Sequence, residues 1–340
     1  MKLIIRPFIL LLGVLAVVAV THAATDAIGI LKRSYSAESR AILTGQIKTT
    51  VYGWRGGQTS AEVRISRSGR RSRMDYLSGP LSGTTVIDTG DAVIRLNSAA
   101  KTAYISKTPE ASKHLDQLLA NYRPLLVGSS KVAGRTCYEV RLEPKYKGNP
   151  SERLWIDKTS LIALKTERHN SDGRLAISTE YVKANFAGRP AATLFAVPKG
   201  WKSVHLAGGT TTESQVRKAV GFTPVKPGYV PKGYSYSGCS TCNTCATMQC
   251  AGFRYSNGLN TISIFERKGA CNGNGACCGT GRGRGWRGGR GAGGGPGTGT
   301  CRLADNLQAR MYRATAGDLT VILVGDIAEN ELQKMANSFK

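Results

Sequence analysis

Eight of the nine cysteines lie between positions 239 and 301, and this thiol cluster is the part of the chain best suited to chemistry. Four of them follow the spacing Cys-x2-Cys-x2-Cys-x4-Cys, which could hold zinc in tetrahedral geometry. The spacing is also similar to that of an iron–sulfur site, but the proline that usually follows the last cysteine is absent. In an exported protein, an even-numbered cysteine cluster is more typical of disulfide bonds. We predict disulfides without assigning pairs, and keep zinc as the alternative, at Cys239, Cys242, Cys245, Cys250, Cys271, Cys277, Cys278 and Cys301.

Outside this cluster the chain offers little that could catalyse a reaction. It contains no Gly-x-Ser-x-Gly elbow, no His-Glu-x-x-His helix and no phosphate-binding loop. Its four histidines are scattered, and Cys137 stands alone in an apparent strand, where we predict a buried free thiol. We therefore expect a binding protein rather than an enzyme, with no cofactor and no bound metal.

The charge of the chain predicts anionic partners. Lysine and arginine number 47 against 22 acidic residues, a formal net charge of +25, and such an excess attracts acidic protein surfaces, phosphorylated lipids or nucleic acid. Two arginine groups are candidate binding sites, one at a turn-and-strand junction and one in a glycine-rich stretch. A solvated face or an insertion without function is the alternative for each. The candidates are Arg70, Arg71, Arg73, Arg282, Arg284, Arg287 and Arg290.

Residues 1–23 have the features of a secretory signal peptide. Lys2 and Arg6 form a basic start, and Phe8 to Val20 is apolar but shorter than the roughly 20 residues that span a bilayer. Small residues follow at the expected cleavage point. We predict a cleaved signal and a periplasmic product, with an uncleaved anchor as the alternative. Export makes nucleic acid an improbable partner, although the arginine–glycine stretch is similar to RNA-binding tails.

The remaining sequence predicts two α+β domains, since a mature chain of this length is long for one core. Nine or ten short alternating strands, a first helix at residues 26–39 and a second from Pro109 to Tyr122 predict an antiparallel sheet covered on one face. We place the first domain at 24–188, a linker at 189–205 and the second domain at 206–340. The second domain carries a low-complexity insertion at 268–300.

Four separated runs identify a family resemblance. They are Val132–Arg135, Arg153–Asp157, Ser263–Glu266 and Leu319–Gly325, and their order and gaps resemble those of the RseB/MucB family. The resemblance implies a LolA-like half-barrel with helices in its concavity, followed by a small α/β C-terminal domain. It also implies a periplasmic regulator of an extracytoplasmic sigma factor that binds the periplasmic segment of an anti-sigma factor and responds to lipid or another anionic envelope component. A lipid or lipoprotein carrier is the alternative, because the same half-barrel serves that role. The ligand and the oligomeric state are not specified by the sequence.

Overall fold

The computed structural model describes residues 26–53, 57–107, 114–206, 211–245, 248–269 and 309–340. The predicted signal peptide at 1–23 and all but the first two residues of the predicted insertion at 268–300 lie outside the described residues, as do Arg282, Arg284, Arg287 and Arg290. In the described part of the chain, no helix has both the length and the apolar character needed to cross a bilayer.

The first domain is built on one twelve-stranded sheet. Its strands are β1 (Ile42–Tyr52), β2 (Gln58–Ser68), β3 (Arg71–Tyr76), β4 (Thr85–Asp88), β5 (Ala92–Asn97), β6 (Thr102–Lys107), β7 (Tyr122–Val132), β8 (Arg135–Pro144), β9 (Ser151–Asp157), β10 (Ala163–His169), β11 (Leu175–Asn185) and β12 (Lys202–His205). They lie in the order β12-β6-β5-β4-β3-β2-β1-β11-β10-β9-β8-β7. All neighbours are antiparallel except β12, which pairs with β6 in parallel. The sheet is therefore open: its two edge strands, β12 and β7, lie at opposite ends of the strand order.

Two helices cover one face of this sheet. Helix α1 occupies residues 26–38 and helix α2 spans His114–Asn121. Every second residue of β8 and β9 faces them, because side chains alternate across a strand. The buried cluster they share consists of Ala27, Ile30, Leu31, Leu118, Tyr122, Val140, Leu142, Leu154 and Ile156. This apolar layer positions α2 at the edge of the first domain, where it meets the second.

The segment predicted as a linker, 189–205, is instead attached to the first sheet. A 3-10 helix at Ala192–Phe195 packs Phe195 into a buried cluster with Ile87, Ile94 and Leu96. The chain then forms β12 at the edge of the sheet. The prolines and the glycine of this segment are typical of a linker. Its apolar side chains instead pack against apolar residues of the sheet. The first domain thus extends structurally to His205.

The second domain is smaller and consists of a five-stranded antiparallel sheet with two helices. The strands β13 (Ser235–Cys245), β14 (Met248–Ser256), β15 (Thr261–Lys268), β16 (Arg310–Ala316) and β17 (Leu319–Gly325) lie in the order β13-β14-β15-β17-β16. Helix α3 (Glu213–Val220) begins with a capping box at Thr212 and Gln215. Helix α4 (Glu329–Asn337) buries Leu332, Met335 and Ala336, whose spacing places them on one face of the helix. The predicted α+β class, with a large open sheet and a smaller second domain, is confirmed.

The four sequence runs that carry the family resemblance meet in two pairs. Arg135, at the end of the first run, binds Asp157, at the end of the second. The third and fourth runs lie on adjacent strands, where Ser263 pairs with Val324 and Glu266 with Val321. Residues that are distant in sequence are therefore joined in each domain by direct contact.

Candidate functional site at the junction of the two domains

A hairpin turn of the second domain enters the first domain beside helix α2. The turn connects β14 to β15 and comprises Asn257 to Asn260. Leu259 packs against the apolar cluster beneath α1 and α2. Gly258 has φ +93°, and a Cβ there would lie 2.5 Å from the backbone nitrogen of Leu118. Only glycine combines this backbone conformation with so close an approach, so the turn is shaped to dock on α2.

Asparagine side chains hold the docked turn. The Asn121 amide donates to the carbonyl oxygens of Asn257 at 3.0 Å and Gly233 at 2.9 Å. The Asn257 amide donates in turn to the Tyr122 hydroxyl and to Asn149 Oδ1, both at 3.1 Å. Asn257, Asn121 and Asn149 are all buried. Since an unpaired buried amide is costly, these reciprocal bonds fix the relative position of the two domains.

A second group of contacts at the junction is charged. Arg168 of β10 donates to Asn260 Oδ1 at 2.6 Å. Arg310 of β16 forms an ion pair with Asp172, in the turn between β10 and β11, and its Nη2 lies 2.7 and 2.8 Å from the two carboxylate oxygens. Asp326 Oδ1 accepts a hydrogen bond from the backbone of Ser171 in the same turn. The residues Asn170–Gly173 are typical of a hairpin turn, and they form that turn between β10 and β11. The turn is also a docking element for the second domain.

Burial of this junction shifts the titration of its carboxyl groups. Desolvation raises the pKa of Glu152 to about 7, against the opposing attraction of Arg168, its cross-strand partner. Burial also raises the pKa of Asp326, although its hydrogen bonds with Ser171 oppose the shift. Desolvation likewise raises the pKa of the Tyr122 and Tyr234 hydroxyls. The junction is therefore a buried polar interface, in which desolvation has the largest effect on the pKa of these groups.

A lysine-lined cleft of about 430 Å³ opens beside this interface. The first domain contributes Lys145, Tyr146 and Lys147, and the second domain contributes Tyr229, Lys232 and Lys334. One carboxylate, Glu331, lies among these four ammonium groups. Both domains are needed to form the cleft, and its charge favours an anionic ligand.

The predicted arginine site at the start of β3 is largely occupied by the chain itself. Arg73 binds Asp75 and donates to the Leu194 carbonyl oxygen at 3.2 Å. The guanidinium of Arg71 lies 5.3 Å from the centre of the Phe195 ring. Arg70 donates to the Gly90 carbonyl oxygen at 3.3 Å. Arg71 and Arg73 thus hold the 3-10 helix on the sheet, and no described contact brings the three arginines together around a ligand site.

The predicted cysteine cluster is described only in part. Cys250 is disulfide-bonded. Cys239 was predicted to form a disulfide but is a buried free thiol, because its side chain packs in the core of the second domain. Its Sγ donates to the Thr211 carbonyl oxygen at 2.9 Å. Backbone strands are described at Cys242 and Cys245. Cys271, Cys277, Cys278 and Cys301 lie outside the described residues. Cys137 is a buried free thiol, as predicted.

Sequence reasoning did not identify the junction or the cleft. Asn257-Gly258 is a turn signal, but nothing in the neighbouring residues indicates that the turn docks on a helix 140 positions earlier. Lys147 and Lys232 are equally ordinary in sequence. Both features depend on the packing of two domains, which local patterns do not encode.

The fold and junction can be compared with known proteins. Residues 59–196 match the family model of the MucB/RseB N-terminal domain. The Pseudomonas aeruginosa MucA/MucB complex is similar to the chain at 18% identity with a TM-score of 0.60, over 92% of this chain and 97% of that chain. A crystal structure of MucB in complex with MucA(peri) gives the same values, and a crystal structure of MucB has a TM-score of 0.55 at 16% identity, over 92% of this chain and 97% of that one.

No curated protein matches the chain by sequence. The likeness to MucB, over nearly the full length of both chains, establishes the two-domain fold. The family match confirms the predicted RseB/MucB family for residues 59–196.

Proposed function

We propose that this chain, whose residues 59–196 carry the MucB/RseB N-terminal domain, is an exported regulatory protein that binds the periplasmic segment of an anti-sigma factor. Its place is the periplasm, and its role is binding rather than catalysis. Capture of the anti-sigma factor would restrain the corresponding extracytoplasmic sigma factor by protecting the captured segment from proteolysis.

One observation carries this proposal. The chain aligns with both domains of MucB, a protein whose solved complexes contain MucA, rather than with a single half-barrel. A carrier needs only the concave sheet, whereas here buried asparagines and the Arg310–Asp172 ion pair hold the second domain against the first. The junction thus presents a composite surface of a kind that suits a protein partner.

Lipid sensing is a further part of the proposal. A ligand releases a partner only by binding better to the conformation with lower partner affinity. The apolar layer between the open sheet and its two helices is the part of the first domain whose chemistry suits the acyl chain of a long-chain amphiphile. The excess of basic residues suits its anionic headgroup. Binding of the amphiphile should therefore lower the affinity for the anti-sigma segment.

Co-purification tests the partner directly. The tagged mature protein is mixed with the purified periplasmic segment of an anti-sigma factor from the same organism, and with a scrambled segment of the same composition. We expect stoichiometric capture of the native segment only. Equal recovery of both segments would contradict the proposal.

A titration with a fluorescent fatty acid separates regulator from carrier. Saturable binding that displaces the captured segment supports the lipid-sensing regulator. Saturable binding by a protein that captures no segment would favour the lipid or lipoprotein carrier instead.

A further inference from the structure

The cleft beside the domain junction is lined by four lysines and one carboxylate, and the lysines differ in their contacts with the rest of the fold. Lys145 donates to the carbonyl oxygens of Leu119 and Ala120, at the end of α2, and so caps that helix. Lys334 pairs with Glu331 at 2.9 Å. Glu331 also accepts a hydrogen bond from the Tyr229 hydroxyl. These two lysines therefore have structural roles.

Lys147 and Lys232 have no such role. Among the described residues neither forms an ion pair or a side-chain hydrogen bond, and both are exposed at the cleft. They come from different domains, Lys147 from the loop after β8 and Lys232 from the segment before β13. The one carboxylate of the cleft is already bound by Tyr229 and Lys334. The Tyr229 hydroxyl, and to a smaller degree the charge of Lys232, hold the pKa of Glu331 below its ordinary value, so Lys232 is attracted to Glu331 but forms no ion pair with it. An anion that enters the cleft would thus meet two ammonium groups that no ion pair occupies among the described residues.

We propose that this cleft binds an acidic stretch of an extended peptide, with carboxylates bridging Lys147 and Lys232. The inference rests on the proposed function, because the natural source of such a stretch would be the captured anti-sigma segment. It goes further by assigning the site and the charge of the ligand. A peptide held between the two lysines would contact both domains, so its affinity depends on the docked arrangement.

The lining of the cleft favours a peptide over a lipid. Ile327 is the only aliphatic side chain among the lining residues described, apart from the ring of Pro231, and it is buried. An acyl chain would find no apolar channel there. The Tyr146 ring is exposed and offers a flat surface against which a peptide backbone or side chain can pack, as tyrosine does in many interfaces. The volume of about 430 Å³ suits a few side chains.

Fluorescence anisotropy with a labelled oligoglutamate peptide tests the site. The full mature protein is compared with the double variant Lys147→Glu/Lys232→Glu, at low salt and at physiological salt. We expect binding of oligoglutamate but not of oligoglutamine, and about tenfold or greater weakening in the double variant at low salt. Added salt should weaken wild-type binding, since exposed charges are screened over about 8 Å at 0.15 M.

A matched control removes the effect of net charge. Lys183→Glu/Lys202→Glu makes the same change at exposed positions of the first sheet, on β11 and β12. It should weaken binding less than about twofold, because neither lysine lines the cleft and added salt screens charges outside it. Equal weakening in both variants, or none in the cleft variant, would overturn the proposal. Thermal unfolding of both variants confirms that neither is misfolded.

Two further titrations distinguish a peptide ligand from an anionic lipid, and separate the cleft proposal from the proposed function. If the cleft variant loses binding to phosphatidylglycerol vesicles but keeps oligoglutamate binding, the cleft is a lipid site and the proposal is wrong. Capture of the anti-sigma segment that is unchanged in the cleft variant overturns this inference and leaves the proposed function intact. Oligoglutamate binding at the cleft without capture of that segment supports the site and contradicts the proposed function.

Discussion

Arg135 and Asp157 form a two-pronged salt bridge that joins the ends of two adjacent strands of the first domain. Arg135 Nε and its terminal nitrogen lie 3.1 and 2.8 Å from the two carboxylate oxygens. Asp157 also accepts hydrogen bonds from the backbone nitrogen and the hydroxyl of Ser160, both at 2.7 Å. These bonds hold the pKa of Asp157 below its ordinary value despite burial. One carboxylate therefore fixes both the strand end and the turn after it.

Removal of this carboxylate should be costly. The Asp157 side chain is only 2% exposed, so Asp157→Ala leaves donors without an acceptor and should lower the free energy of unfolding by about 3 kcal/mol. Urea unfolding at neutral pH measures the change. Arg123→Ala, which breaks the more exposed pair with Glu143, should cost less than about 1 kcal/mol. Similar losses in the two variants would contradict a special role for Asp157.

Gly258 should control the docking of the second domain on α2. Gly258→Ala places a methyl group 2.5 Å from the Leu118 backbone and also strains a positive φ. Gly83→Ala has a similar backbone conformation, φ +80°, with nothing within 4 Å, and should cost about 1 kcal/mol from strain alone. We expect a larger loss for Gly258→Ala.

Hydrogen exchange separates the two effects of the Gly258 substitution. Deuterium uptake should increase in α2 and in the 257–260 turn for Gly258→Ala, and stay at the wild-type level there for Gly83→Ala. Unchanged uptake in the Gly258 variant would show that the close contact does not hold the domains together.

Glu266 gives the second domain a stability that falls as pH rises. Its side chain is buried and one oxygen has no partner among the described residues, so desolvation raises the pKa of Glu266 to about 7 from an ordinary value of 4.5. The folded protein then holds a proton that the unfolded chain has lost. Stability is full below the unfolded pKa and decreases as pH rises through the folded pKa.

The Glu266→Gln variant tests this dependence. Its amide oxygen can keep the bond from the Val225 nitrogen that the carboxylate now accepts at 2.9 Å. Between pH 5 and pH 8 the free energy of unfolding should decrease less in the variant than in the wild type. At pH 8 the variant should be more stable than the wild type by about 2 kcal/mol. Unfolding free energies measured across this range decide the point. Asp157→Asn should alter the profile at acidic pH instead, because the Asp157 pKa is lowered. A slope unchanged by Glu266→Gln would contradict the assignment.

The two buried thiols should resist modification in the native protein. Cys137 and Cys239 are 0% and 1% exposed, and burial raises the pKa of Cys137 to about 11, so little thiolate is available to react. Iodoacetamide should label both positions only after denaturation without reductant. Peptide mass spectrometry identifies the sites. A disulfide that includes either residue would contradict the structure, whereas Cys250 should be found in a disulfide.

Local patterns predicted the elements of this fold with few errors. The spacing of Leu332, Met335 and Ala336 is typical of one face of a helix, and all three are buried in α4. The sequence offers Thr211 or Thr212 as the cap of α3, and the structure uses Thr212. In α3, helical spacing would place Val216, Ala219 and Val220 on the inward face, yet Val216 is buried and Ala219 is exposed. The second helix was predicted to reach Tyr122, which instead starts β7. There, hydrogen bonds with β8 replace those of the helix, an outcome that helical spacing alone does not reveal.

The surfaces between elements were beyond the reach of sequence reasoning. Arginines at 71 and 73 resembled an open anion site because nothing in sequence shows that residues 192–195 return to cover them. Conversely, Lys147 and Lys232 attracted no attention because they are separated by most of a domain. The family resemblance predicted the two-domain architecture, which periodicity alone did not. Its four runs contain residues that contact one another across neighbouring strands, two runs in each domain.

The most direct test of this account is a calorimetric titration of the mature protein with the periplasmic segment of an anti-sigma factor from the same organism. We expect saturable one-to-one binding that weakens when a long-chain anionic amphiphile is added. We also expect weaker binding by the Lys147→Glu/Lys232→Glu variant than by the Lys183→Glu/Lys202→Glu control. Absence of saturable binding by the folded wild-type protein, at concentrations where the segment is soluble and monomeric, would contradict the central claim.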